Sequence, residues 1–495
     1  MLSHVGREDA GAARGALWSK TPALLVLSLC VLALGCLPFG AGRARAVDHA
    51  AREGRGGADT GAAGWSGQGQ LIAFVNVNVV PMDRERVLSG QTVVVRDGRI
   101  AQLGRAGKIK VPAAALVIDG RGKYLMPGLT DMHVHLRDYG EASMAALLKL
   151  YVARGVTTVL NLRGIPRHLE MRERAAKGEL FAPTIYTSGP FVSDATGTSP
   201  TPEEVERAVV EQKRAGYDVI KIHGDFTREA YARLFVVARR VGIKVVGHAP
   251  RNLGPEVMSE ERQDAVAHAE EYIYDKNNNS RNFAQVEPRI PALAEATARA
   301  GTWLIPNLTA YKNIGLQVSD LDGVLNRPEM KYVPPEIAAG WGPATNPYMR
   351  FKNLPIESFW ARYRVLEKIT KGFHAAGVRL LAGTDAMNPS VVPGFSLLDE
   401  LRELAAAGLT PYEAIKTATA NPAEFLGAKD FGTVAVGKRA DLILAEGDPL
   451  KDVNNVSRQA GVVLRGRWLS AADISAMLKE LTAASAARGS SKPVG

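Results

Sequence analysis

Two textures alternate along the chain. From Leu71 the pattern is short and β-like, in LIAFVNVNVV, in QTVVVRDGRI with its Asp-Gly turn, and in ALVIDGRGKYLM. Apolar, β-branched runs broken by tight turns predict a small β domain. A matching stretch returns only near the other end, in GTVAVGKRADLILAEGD and GVVLRGRWLS. Segments 71–126 and 427–480 are therefore expected to pair into one composite β-sandwich. Between them, over 127–426, apolar runs of about four to eight residues alternate with helical patterns, which predicts repeated βα units around a parallel sheet. The strand candidates are TDMHVHL, TTVLNL, PTIYTSG, DVIKIH, KVVGH, AVAHA, TWLIPN and RLLAGTD. Eight of them fit an α/β fold of the (β/α)8 TIM-barrel kind. The helical patterns MAALLKLYVARG, EEVERAVVEQKRAG, REAYARLFVVARRVG and IPALAEATARAG each close on glycine, a helix-stop signal. From Lys312 to Ser358 the alternation fails, amid prolines and the aromatics Tyr332, Trp341, Tyr348 and Phe351. An insertion after the seventh strand of a barrel lies at its active face, so this segment is a candidate lid.

Ahead of the β domain stands a different pattern. No charge interrupts the chain between Lys20 and Arg43, Ala23 to Leu37 is almost wholly apolar, and Arg7, Arg14 and Lys20 precede it. Residues 1–46 read as an export signal ending in the small-x-small sequence Ala44-Arg45-Ala46; an uncleaved membrane anchor and lipidation at Cys36 are the other readings. The expected location is periplasmic or extracellular. Cys30 and Cys36 are the only cysteines, so a processed chain would have neither disulfides nor cysteine chemistry. Residues 47–70, rich in Gly, Ala and Ser, read as a flexible linker.

Composition narrows the classes further. With 46% hydrophobic and 23% charged residues among 495, the chain is no disordered, collagenous or coiled-coil sequence. The net charge of +10 is spread among acidic residues without a basic stripe, so no nucleic-acid partner is expected. The pattern specifies no oligomeric state.

Chemistry concentrates at the ends of the barrel strands. His133 and His135, two apart on a strand, share a face and can chelate one metal. His248 ends KVVGH, His268 ends AVAH and Asp385 ends LLAGTD. In a barrel these positions converge on one mouth. Lys221 in DVIKIH is the odd member, since an unpaired buried ammonium is costly; it either pairs or snorkels, or it takes up CO2 as a carbamate that bridges two metals. His223, two residues later, faces the same side; it is a candidate to donate to a developing oxyanion or a substrate carboxylate, or else to orient a ligand. Tyr186 reads as a core tyrosine more readily than as a substrate contact. His4 and His49 lie outside the barrel, and His168 and His374 are expected on helix surfaces.

The strings MPGLTDMHVH, VIKIH, VVGHAP, AVAHAEE, LLAGTDA and TANPAEFLG, followed by FGTVAVGKRADLILAEGDPL, resemble the metal-dependent amidohydrolase superfamily, in its imidazolonepropionase-like and bacterial prolidase-like branch, over about Leu71 to Leu469. The resemblance implies a barrel with two divalent metal ions, zinc first, although manganese, iron or cobalt also suit such ligands. It implies that His133, His135 and Asp385 hold one metal, His248 and His268 the other, and carbamylated Lys221 both. It further implies a metal-activated water attacking a carbonyl, with Asp385 moving the proton to the leaving nitrogen. Arg163 stands in NLRG where relatives often carry Arg-Asp, so no role is carried onto it. The expected activity is hydrolysis of a C–N bond in a small amide, dipeptide or N-acyl amino acid. The alternatives are a cyclic-amide hydrolase, lactonase or esterase on the same centre, and a non-catalytic binding protein of the same fold. A mononuclear deaminase fits less well, because His248 is followed by Ala249-Pro250 and Lys221 is present.

Overall fold

The computed structural model describes residues 70–193, 199–275 and 283–490. The export signal, the linker up to Gly69 and both cysteines lie outside the described residues. Among the described residues no helix is long and apolar enough to cross a membrane.

Both chain ends join one eight-stranded mixed sheet. The N-terminal part supplies β1 (Ile72–Val79), β2 (Leu88–Arg96), β3 (Arg99–Arg105), β4 (Leu116–Asp119) and β5 (Tyr124–Pro127). Seven of its strands run in the order β15-β14-β13-β5-β1-β2-β3, with β4 paired to β1, where β13 is Leu442–Ala445, β14 Gln459–Leu464 and β15 Arg467–Ser470. The pairing of the two chain ends was legible in the sequence, but hydrogen bonding makes one sheet where two stacked sheets were expected. That sheet curls on itself. Trp468 of β15 meets Phe74 of β1 edge-on at 5.5 Å, whereas four strand spacings in a flat sheet would be about 19 Å. Valines and leucines of β1, β2, β13 and β14 fill the curl.

The central part carries two parallel sheets. One holds β6 (Leu129–Val134), β7 (Val156–Asn161) and β8 (Thr184–Thr187); the other holds β9 (Val219–Ile222), β10 (Lys244–Gly247), β11 (Ala265–Ala267) and β12 (Trp303–Ile305). A bridge between Ser188 and Val219 joins them on one side. On the other side lies the expected eighth strand, residues 379–385, which does not form a regular strand. Gly383 and the positive φ of Asp385 and Met387 interrupt its extended run. Its backbone still reaches both neighbours: Leu381 N–H donates to Leu304 O at 2.9 Å, Met132 N–H to Ala382 O at 2.9 Å, and Asp385 N–H to His133 O at 2.7 Å.

Helices fill the connections as their end signals foretold. Thr201 and Thr227 cap Pro202–Ala215 and Arg228–Val241 through Glu204 N–H and Ala230 N–H, and left-handed Gly216 and Gly242 end them. Inside the ring, one cluster of Met132, Leu160, Val219, Val246, Ala265, Ile305, Leu381 and Phe425 draws on both sheets. Tyr186 packs against it, as a core tyrosine should. The insertion after β12 is helical in large part, beginning with Leu308–Ser319, and buried Trp341, Tyr348 and Phe351 anchor it in the main core. His168 departs from expectation. It is buried, with Asn161 Nδ2 at 2.9 Å from its Nδ1 and Ile165 N–H donating to the same atom. His374 is partly exposed and lies 3.1 Å from Glu413.

Candidate metal centre

Each proposed ligand stands at or just past the C-terminal end of a ring strand, and the ring brings them together. His133 Nε2 lies 3.3 Å and His135 Nε2 2.7 Å from Asp385 Oδ1. Ring centroids run from His135 to His133 (5.1 Å), to His268 (4.9 Å), to His248 (4.8 Å) and on to His223 (4.5 Å). Ligand atoms of His133, His268 and Asp385 lie within 4.8 Å of one another. Lys221, on β9, is 0% exposed.

Local backbone features aim these groups. A register shift between Asp131 and Val134 inserts a bulge into β6, which allows Met132, His133 and His135 all to face the ring interior. His268, Asn307 and Asp385 adopt φ of 82°, 56° and 60°, a strained region for side-chain-bearing residues that occurs here at three separate strand exits. Gly383 is required by closeness, since a Cβ there would lie 2.8 Å from His133 Cβ. At Gly247, φ is +148° and a Cβ would lie 2.1 Å from Ile222 O.

A supporting layer, not legible from spacing, fixes the imidazoles. Asn307 Oδ1 can only accept, so His133 Nδ1 at 3.2 Å donates to it and leaves Nε2 as a lone pair toward Asp385. Glu271 Oε1 does the same for His248 Nδ1 at 2.7 Å. Arg251 and Arg362 hold the neighbouring carboxylates, Arg251 at 3.1 Å from Glu271 and Arg362 against Glu270. Asp131 accepts from His133 N–H, Thr384 N–H and the Thr384 hydroxyl, which ties β6 to the segment bearing Asp385. Burial still pushes its carboxyl up to about 7. The acidic pair after His268 and the Asn after β12 were visible as letters, but nothing in their spacing marked them as partners of histidines.

Electrostatics and unmet bonding capacity point the same way. Burial holds His133, His135, His248 and His268 well below the usual imidazole range, so all four are neutral donors. Burial brings His223 down to about 4 and the Lys221 amine down to about 8. Yet His133 Nε2, His135 Nδ1, Lys221 Nζ, His223 Nδ1, His268 Nδ1 and Asp385 Oδ1 are buried without a hydrogen bond. So many unmet polar atoms in one place would be untenable in a core. Four neutral imidazoles and a carboxylate are a donor set suited to divalent transition metals, and the residues present fit such ions. His223 stands beside this group rather than within it, stacked on Phe191 at 5.0 Å and 9°.

Residues 124–469 match the model of the Amidohydrolase family. An enamidase of Eubacterium barkeri is 24% identical over 370 residues, 73% of this chain and 82% of that protein. An adenine deaminase of Desulfotalea psychrophila is 24% identical over 76% of this chain, which spans only 54% of its length. A solved structure of a Bifidobacterium longum protein assigned as a prolidase superposes with a TM-score of 0.63 at 25% identity, covering 84% of this chain and 99% of that one. Such likeness supports a TIM-barrel-like α/β fold for the ring.

Proposed function

Since the chain belongs to the Amidohydrolase family, we propose that it is a metal-dependent hydrolase of C–N bonds whose substrate is a small amide, such as a dipeptide or an N-acyl amino acid. One observation carries this reading. Ligand atoms of His133, His268 and Asp385 lie within 4.8 Å of one another, His135 Nε2 lies 2.7 Å from Asp385, and His133 Nε2, Lys221 Nζ and Asp385 Oδ1 are buried without a hydrogen bond. We assign His133, His135 and Asp385 to one ion and His248 and His268 to a second, with zinc as the first choice.

Lys221 suits the bridging role. Its amine has no hydrogen-bond partner, and burial favours the neutral form, which is nucleophilic. Attack of Nζ on CO2 forms an N–C bond, moves a C=O electron pair onto oxygen and releases one proton, leaving a carbamate able to serve two ions. When bound, the ions lower the pKa of a water and polarise the substrate carbonyl. Asp385 receives the proton of the attacking water and delivers it to the leaving nitrogen. His223, neutral in this setting, donates from a ring N–H to the oxyanion that develops on the substrate carbonyl. Asn307 and Glu271 keep the lone pairs of His133 and His248 turned inward.

The substrate class is supported by the resemblance to prolidase-like relatives and by the export expected from residues 1–46, since an exported enzyme meets peptides and acylated amino acids. The test is release of free amino acid from a library of dipeptides and N-acyl amino acids by the zinc-loaded protein, with Asp385→Asn as control. Turnover lost in the control is the expected result. Absence of turnover across the library, with metals bound, would overturn the amide reading in favour of lactones, esters or cyclic amides.

A further inference from the structure

The helix that follows β12 begins in an unusual way. Asn307 is its N-cap, and a capping asparagine ordinarily sits in extended backbone and accepts from the N–H two or three residues on. Here Asn307 is left-handed, at φ 56° and ψ 40°, and its side chain caps nothing in helix Leu308–Ser319. Its Oδ1 accepts from His133 Nδ1 at 3.2 Å instead, and its Nδ2 is buried without a partner. Among the described residues the amide therefore bonds to His133 alone, and what aims it is the backbone from which it springs.

That backbone is held from a distant element. Glu400, on helix Phe395–Ala406, is 0% exposed, and both of its oxygens accept from the start of the Asn307 helix, Oε1 from Leu308 N–H at 3.1 Å and Oε2 from Thr309 N–H at 2.7 Å. The Thr309 N–H is one that an ordinary asparagine cap would have taken. Glu403, on the same helix, binds Lys312 Nζ at 2.6 Å, so the two helices are fastened at two points. A carboxylate is costly to bury, and burial pushes Glu400 up to about 8 against the pull of the two N–H donors. The positive end of the helix and both backbone bonds offset that cost, whereas a local cap would have needed no buried charge. The visible product of the arrangement is an asparagine released from capping to serve a histidine.

We propose that Glu400 is a positioning residue of the metal centre. By capping the helix in place of Asn307, it leaves the asparagine free to hold His133 with Nε2 turned toward the ion, and it ties the exit of β12 to the helix that follows the Asp385 segment. Its action runs through Asn307 and not through contact with the ions or the substrate. The inference rests on the reading of His133 as a ligand, but its signature is the state of the His133 ring, which can be read with or without metal.

Glu400→Gln keeps the shape but turns toward one of the two N–H groups an amide nitrogen that cannot accept. In the full-length protein loaded with zinc, competition with a chromogenic chelator should show one of two ions held about tenfold more weakly and the other unchanged. Thr201→Ala removes an ordinary helix cap from Pro202–Ala215 and is the structural control; it should lower the unfolding temperature and leave both affinities as they were. In an Asn307→Ala background, Glu400→Gln should weaken metal binding no further, since the path is already cut. Imidazole spectra of the metal-free protein, isotopically labelled on histidine nitrogen, supply the second readout, with the His133 signals identified by their loss in His133→Ala. They should show His133 protonated at Nδ1 in the wild type and a mixture of tautomers in Glu400→Gln. An unchanged tautomer in that variant overturns the proposal whether or not the protein retains metal, and so does an additive loss in the double variant. Should Glu400→Gln fail to fold, Glu400→Asp, which keeps the charge on a shorter arm, is read in the same way. A wild type that holds no ion yet shows the tautomer shift would keep the positioning role and remove the metal reading. Two ions bound, with tautomer and affinities unmoved by Glu400→Gln, would do the reverse.

Discussion

The two ends of the same ring strands behave as different materials. On β9, inward-facing Val219 belongs to the apolar cluster while Lys221, two residues on, has a buried Nζ with no hydrogen-bond partner. On β10 the same step leads from Val246 to His248, and along the irregular eighth segment from Leu381 through Gly383 to Asp385. The lower end is closed by side chains that satisfy one another by contact alone. The upper end is full of donors and acceptors left unmet, on backbone held at positive φ. Stability and chemistry are thus separated by about two residues, roughly 7 Å along a strand. The difference teaches that the unmet atoms are a local feature of one end and not a sign of a poorly packed ring.

The comparison can be broken from the upper end with the largest effect. Asp385→Asn keeps the shape but removes the proton carrier and weakens a ligand; turnover is expected to fall by about 10²–10⁴-fold, read from kcat on whichever amide the library identifies. Lys221→Ala should come next, with metal content by elemental analysis falling and activity partly restored by added short carboxylates. Unchanged metal and activity in that variant would refute a bridging lysine. Asn307→Ala leaves every ligand in place but frees His133 to rotate, so metal affinity, measured by competition with a chromogenic chelator, should weaken about 10–100-fold. The smallest effect on activity belongs to the lower end. Leu381→Ala should cost about 2–5 kcal/mol in denaturant unfolding while metal stoichiometry stays that of wild type. Loss of metal in that variant would contradict the separation of the two ends.

Much of this layout was legible in the chain. Alternating runs and glycine stops gave the βα units, and His248, His268 and Asp385 each ended a run, so convergence followed from the geometry of a ring of parallel strands. The pairing of the two chain ends followed from β patterns that recur only there. The legible part ends where side chains act on one another across the ring. Nothing in the spacing of Asn307, Glu271 or Asp131 says that they hold His133, His248 and the Asp385 segment, because those contacts join different strands. The bulge at His133 was hidden for a related reason, since period-two reasoning assumes an even register that β6 does not keep. His168 misled because a histidine in a polar helix pattern reads as exposed, whereas Asn161 and the Ile165 N–H draw it inward. The eighth strand failed to become regular because Gly383 and the turned backbone at Asp385 serve the site rather than the sheet.

The central claim is that the unmet atoms at the strand exits are the ligands of metal ions, and the most direct test is metal stoichiometry. Elemental analysis of the full-length protein, after chelation and reloading with zinc, should find about two ions per chain in the wild type, and a clear loss in His133→Ala, His268→Ala and Lys221→Ala. A wild-type chain that never retains a divalent ion, or variants that bind as much as wild type, would contradict it.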